Sequence, residues 1–302
     1  MVLLGGSAIA TILLSGLFYG GILSLIAVGL TLIFGVSRVM NIAHGDLVFI
    51  GGAVTSVLFA NYFLNPFLSI VVVIPLFAGI GALFNFLMRK PIASKSAELS
   101  LAASVLITLG LSDIIEGLGA KISSQYNYNC YAVPSSQFSI GSTTLFGAQI
   151  DNILAVSFIA IIAISVGLTL LVYRTPFGAL MRASMADREV ALMLGADTSR
   201  VTLITFIVGT ALAGLAGTIE AMNTCLAANV GLSLTISALT VVVLGGLGSF
   251  YGSLIGGFII GIVTSVVEIV EAYSGVGGWD SAVPLLLLIL ILIARPSGLL
   301  KR

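Results

Sequence analysis

Three stretches of this chain, Met1–Ser37, Leu47–Met88 and Ala221–Val267, contain no charged side chain. Each is longer than the roughly 20 apolar residues with which an α-helix crosses about 30 Å of hydrocarbon. A water-soluble domain must present a polar exterior, and a chain that withholds charge over such distances has none to present. The bilayer is therefore the solvent, and backbone amides inside it must be satisfied internally. Continuous apolar runs, rather than short segments of alternating polarity, select helices over a β-barrel. Composition agrees: of 302 residues, 59% are hydrophobic and 8% charged. The expected fold is an all-α polytopic membrane protein with about 8–10 transmembrane helices in one bundle.

Hydropathy places spans near residues 9–34, 46–63, 66–88, 98–118, 152–173, 201–223, 233–250, 252–272 and 282–297. The Gly-rich stretch 241–252 reads either as spanning or as re-entrant. Lys and Arg set the orientation, because basic residues stay on the cytoplasmic side. Arg89, Lys90 and Lys95 mark one such loop; Arg174, Arg182, Arg188 and Arg200 mark a second; Arg295, Lys301 and Arg302 close the chain. The C-terminus is therefore expected in the cytoplasm. The polar connection 119–151 holds only Lys121 and is expected outside, with 122–150 as an extracytoplasmic loop. Counting nine spans back puts the N-terminus outside. The first basic residue is Arg38, so the first run is expected to remain as a helix rather than act as a cleaved signal.

Several function classes are disfavoured. One histidine and two cysteines make a metal centre improbable. No phosphate-binding G-x-x-x-x-G-K-[ST] loop occurs, so any ATP is bound by another polypeptide. No basic arm is available for nucleic acid. No nucleophile–base set accompanies His44, so no catalytic residue is assigned. Cys130 and Cys225 fall on the same expected side, where a disulfide is possible; two unpaired small hydrophobes are the simpler expectation.

Small residues recur every four positions at Gly209, Ala213 and Gly217, and at Gly248, Gly252 and Gly256. Such spacing lets helix backbones approach closely, and bundle packing is the expected role. The segment Arg38-Val-Met-Asn-Ile-Ala-His-Gly-Asp46 closes the first span and opens the second. Asn41 is placed to cap the second helix, and Asp46 favours the positive end of that helix. The same residues, with His44 and Gly45, also read as the lip of a gate where irregular backbone lines a cavity. Ionisable groups in the membrane are functional candidates by default. Glu220 follows the Gly/Ala stripe and is a candidate for the pathway. Asp113, Glu116, Glu268 and Glu271 lie near outer span ends and are expected to reach the headgroups.

Residues 174–200 carry mixed charge, and Ala179–Leu194 reads as an amphipathic helix stopped by Gly195, with Asp197 or Thr198 capping the next. Such a helix lies on lipid or docks into a groove of a soluble partner. Here Glu189-Val190-Ala191, followed by Gly195, resembles the E-x-A-x-x-x-G core of the cytoplasmic loop of ABC importer permeases. It is joined by GLTLIFGVSRVMNIAHGD (29–46), ADTSRVTLITFIVGTALAGLAG (196–217), VVVLGGLGSFYGSLIGGFIIG (241–261) and ARPSGLL (294–300). Together these resemble the branched-chain amino acid permeases of the LivH type over nearly the whole chain. The Tyr/Asn-rich region 122–150 departs from the pattern.

The resemblance implies one permease domain over 1–302, with 175–200 as a cytoplasmic coupling loop. Glu189, Ala191 and Gly195 would contact an ATPase, with Arg182 and Arg188 beside them, while Asn41, His44, Gly45, Asp46 and Glu220 would line the path or gate. It implies an inner-membrane subunit, not an enzyme, that moves branched-chain or other small amino acids. Its partners would be a second permease, two ATP-binding cassette ATPases holding the ATP and Mg, an extracytoplasmic solute-binding protein and lipid. Urea or short amides are the alternative cargo, and a self-sufficient channel or secondary carrier the alternative mechanism.

Overall fold

A computed structural model describes residues 6–92, 96–126, 130–133, 138, 141–145, 148–193, 195–275, 279–294 and 298. In chain order the helices are α1 (Gly6–Ser37), α2 (His44–Tyr62), α3 (Ile70–Leu87), α4 (Arg89–Ile92), α5 (Ala97–Tyr126), α6 (Asn152–Arg174), α7 (Pro176–Ala186) and α8 (Arg188–Met193). They continue as α9 (Thr198–Ala221), α10 (Gly231–Gly245), α11 (Phe250–Ser274) and α12 (Trp279–Ala294). One antiparallel hairpin, β1 (Ser142–Leu145) with β2 (Ala148–Asp151), lies between α5 and α6, pairing Ser142 with Asp151 and Leu145 with Ala148.

Each of the nine expected spans coincides with a helix. Among the described residues seven helices are long and apolar enough to cross a membrane, and α10 and α12 are shorter. At 15 residues α10 is about 22 Å long, less than the hydrocarbon thickness. Three boundaries differ from the sequence expectation. Helix α5 runs on to Tyr126, eight residues past the expected end at 118, so the outer connection is shorter than its polar composition suggests. Helix α2 starts at His44, which is itself buried in the bundle. The single helix expected over Ala179–Leu194 is two helices, broken at Asp187. The backbone there is extended, and the Asp187 carboxylate accepts the N–H groups of Glu189 (2.9 Å) and Val190 (3.1 Å), which caps α8. Leu194, like Lys95 and Arg295 to Ser297, lies outside the described residues, as do Leu299 to Arg302.

Helices α1 and α9 are the most enclosed; α3, α5 and α6 leave most of their surface outside the bundle. The α1–α11 seam is possible because glycines meet there: a Cβ on Gly261 would strike the backbone of Gly20. Where lipid is as apolar as the side chains, van der Waals contact between close backbones is what joins helices. On α9, Gly209 abuts Ile33 of α1, Ala213 is fully buried, and Gly217 abuts the Val48 carbonyl of α2. Gly252 lies against Gly245 of α10, and Gly256 against the Val241 carbonyl (3.0 Å). Gly248, expected on the same packing stripe, instead forms the α10–α11 turn with φ +84°, where an added Cβ would come no closer than 3.9 Å to the Met185 side chain.

The bundle has two distinct ends. At one, arginines gather around α4, α7 and α8. At the other, Cys130 and Cys225 form a disulfide with Cα atoms 5.5 Å apart, so the expectation of two unpaired thiols is corrected. The reason is local pairing that sequence spacing does not show. Tyr131 and Leu226 exchange both backbone hydrogen bonds (2.9 and 3.0 Å), and Val133 N–H donates to the Ala221 carbonyl (2.8 Å). The chain before α6 is thus strapped to the end of α9.

Candidate functional site

Helix α1 ends where Arg38 takes φ +57° while its N–H still reaches the Phe34 carbonyl (2.8 Å). The chain then turns back into the bundle as non-helical backbone over 38–43 before α2 begins. Irregular backbone at this depth needs donors and acceptors from its neighbours. Helix α5 supplies them with a ladder of hydroxyls one turn apart. Ser104 Oγ accepts the N–H of Met40 (3.1 Å), Thr108 Oγ1 accepts that of Ile42 (3.0 Å), and Ser112 Oγ donates to the Asp46 carboxylate (2.5 Å). From the other side, Thr235 Oγ1 of α10 accepts the Gly45 N–H (2.8 Å) and donates to the Ile42 carbonyl (2.7 Å).

The first residues of α2 and α10 meet here. A Cβ on Gly45 would strike the Gly231 carbonyl, and a Cβ on Gly231 would strike the Asp46 carboxylate. The buried Asp46 side chain thus lies in the first turn of α2 and against the first residue of α10, where partial positive charge favours it. His44 Nε2–H donates to the Ile26 carbonyl of α1 (3.1 Å), which leaves its Nδ1 buried without a partner. Asn41 does not cap α2 as expected: the cap position is Ala43, which makes no side-chain bond. The Asn41 amide is buried instead, with neither oxygen nor nitrogen hydrogen-bonded. Asn41, His44, Gly45 and Asp46 are therefore gathered in one buried polar knot around α5 and α10. The hydroxyl ladder was missed in the sequence. Its only signal was the four-residue spacing of Ser104, Thr108 and Ser112, which also fits hydroxyls bonding back to their own helix.

Glu220 stands apart from this knot. It faces a cavity of about 610 Å³ at the disulfide end, walled by α1, α10, α11 and the α9–α10 connection. Its Oε1 accepts from Thr224 Oγ1 (2.8 Å), and its Oε2 is buried without a partner. Glu268, expected only to reach the headgroups, lines the same cavity from α11.

The remaining candidates lie at the opposite end, on α7 and α8. Thr175 caps α7 by accepting the Gly178 N–H (3.0 Å), and Asp197 caps α9 by accepting that of Arg200 (3.1 Å). Gly195 ends α8 with φ +83°, a conformation costly for any residue with a Cβ. Three arginines tie this pair of helices to the bundle through backbone carbonyls. Arg38 donates to Met185 (2.8 Å), Arg182 to Val172, and Arg188 to Ile92 (3.3 Å). Arg182 also lies over the Tyr173 ring (5.1 Å). Ala191 is buried beneath α8, whereas Glu189, Val190, Leu192 and Met193 are exposed, Met193 by 84%.

Residues 12–292 match the family described as "Branched-chain amino acid transport system / permease component". The chain is 32% identical to the probable branched-chain amino acid transport permease protein LivH of Methanocaldococcus jannaschii, over 95% of this chain and 91% of that one. It is 26% identical to the high-affinity branched-chain amino acid transport system permease protein LivH of Escherichia coli, covering 95% and 94%. A more distant similarity, 24% over 91% and 67%, is to the permease protein LivM of the corresponding system of Salmonella typhimurium. No solved structure matches the chain. An all-helical membrane bundle, with a polar break between its first two spans and a short helix pair bolted across one end, thus carries the sequence of the branched-chain amino acid transport permease components, and the chain belongs to that family.

Proposed function

We propose that this chain is one of two membrane-spanning subunits of an ATP-driven importer for branched-chain or other small amino acids. In this reading it pairs with a second permease chain, two ATP-binding cassette ATPases that hold ATP and Mg, and an extracytoplasmic binding protein that delivers the cargo. The assembly lies in the inner membrane with the arginine-rich end and the C-terminus in the cytoplasm, which follows the positive-inside rule. The disulfide at the opposite end supports this placement, because disulfides persist in oxidising compartments.

The observation that carries the reading is the α7–α8 pair. Its inner side is fastened by Arg38, at the end of α1, which donates to the Met185 carbonyl of α7, and by Arg182 and Arg188, which donate to carbonyls near the ends of α6 and α4. Its outer side shows Glu189, Val190, Leu192 and Met193 exposed. An element held rigidly on one side and apolar on the other transmits a push from a protein that docks there. Closure of the ATPases around ATP moves α7 and α8, and the bundle rocks between outward- and inward-open arrangements. The knot at Asn41–Asp46 is where the first residues of α2 and of the shorter α10 meet, a construction suited to a gate.

The test is uptake into proteoliposomes carrying this chain with its co-purifying subunits. Gly195→Val is expected to abolish ATP-driven amino-acid uptake while the variant is still made and inserted. Normal uptake from that variant overturns the coupling assignment. A chain that purifies alone and moves solute without ATP overturns the importer reading as a whole.

A further inference from the structure

Resting on the importer reading, we infer that the cavity at the disulfide end is an ammonium-recognition site in which Glu220 binds the α-ammonium group of the amino-acid cargo. Glu220 is 5% exposed, on the last turn of α9. Glu220 lines the cavity; one of its oxygens is engaged by Thr224 (2.8 Å), while the other is buried and unpartnered. A carboxylate can only accept hydrogen bonds, and a buried acceptor without a donor is costly until one arrives. The protein supplies no cation: among the described residues lining the cavity are two carboxylates, Glu220 and Glu268, and no Lys, Arg or His. The missing donor therefore comes with the ligand, and a cavity with two carboxylates and no cation favours one that carries positive charge.

The rest of the wall defines what else that ligand carries. Phe18, Leu154, Leu234 and Ile236 offer apolar surface for an aliphatic side chain. Asn229 contributes an amide group that can donate to a carboxylate. The volume, about 610 Å³, falls in the usual range of small-molecule sites. Urea and simple amides can donate an N–H to this carboxylate but leave its charge, and that of Glu268, uncompensated, and are thereby disfavoured against an ammonium ligand.

The experiment uses the complete assembly of permease chains and ATPases in nanodiscs, without the binding protein, and radiolabelled leucine as probe. Leucine is expected to bind, to be displaced by 3-methylbutylamine, which keeps the ammonium, and to resist 4-methylpentanoate, which lacks it. E220Q is expected to weaken leucine binding about tenfold or more, the loss of one charge-assisted bond, with E220D between the two. Leucine binding equal in wild type and E220Q, displacement by both competitors alike, or no leucine binding at all overturns the assignment. If E220Q does not assemble, the wild-type competition decides alone. The two readings fail separately. An assembly that discriminates these ligands but, moved to proteoliposomes together with the binding protein, takes up no leucine with ATP removes the importer reading. ATP-driven leucine uptake without the discrimination removes the site.

Discussion

Single side chains in this protein hold backbone that has no helix to hold it. Ser112 illustrates the stakes: among the described residues its hydroxyl is the only side chain that donates to the buried Asp46 carboxylate. Ser112→Ala is expected to destabilise the folded chain by about 1–3 kcal/mol, the cost of an unsatisfied buried acceptor. Ser112→Thr, which keeps the hydroxyl, should recover most of that. Thermal unfolding of the purified protein in mild detergent reads both. Glycine acts by what it omits. At Gly261 a methyl group would enter the backbone of Gly20. Gly261→Ala should therefore force α1 and α11 apart at a cost of about 1–3 kcal/mol, as overpacking does, and Gly261→Leu should prevent stable insertion. Denaturation midpoints for the first and yield of monodisperse protein for the second are the checks.

At the scale of whole elements, α8 is the simplest to test because it is exposed and short. Met193→Glu places a charge on the apolar face that α8 presents outward, and no contact within the bundle should be lost. The variant is expected to fold as the parent does but to lose at least about tenfold in ATPase co-purification, by the energetics of a desolvated anchor. Equal recovery of ATPase would assign that face to lipid. Most of these elements could be read from the sequence. Spans were legible because the apolar runs are long and the solvent leaves no alternative. Asp187 hid the break between α7 and α8, since an acidic residue in an amphipathic run reads as surface and not as a cap. The polar knot was half legible: Asn41, His44, Gly45 and Asp46 stood out in an apolar chain. The hydroxyls that hold this segment, Ser104 on Met40, Thr108 on Ile42, Ser112 on Asp46 and Thr235 on Gly45, did not, because hydroxyls inside membrane helices usually bond their own carbonyls. The Cys130–Cys225 pairing was hidden too, being set by the backbone bridge of Tyr131 with Leu226 rather than by spacing.

For the molecule as a whole, the strap at the disulfide end joins residues before α6 to the end of α9, 95 positions apart. Cys225 lines the cavity that Glu220 faces, so opening its bond to Cys130 is expected to loosen that wall. Cys225→Ser should lower stability by about 2–4 kcal/mol, the effect of releasing a long loop, and should weaken leucine binding in the nanodisc assay. A reductant titration followed by thermal unfolding of the parent protein should reproduce the loss of stability. The order of synthesis adds a consequence of its own. At roughly 5–20 residues per second the ribosome needs about 5–20 s to get from one cysteine to the other. During that interval α6 to α9 enter the membrane while the earlier thiol waits, reactive and alone. A nascent chain arrested before residue 225 should label with an impermeant thiol reagent from the outside, and the released chain should not. The bond can therefore close only after α9 has been made, so the completed strap records that the helices on either side were delivered in the right topology.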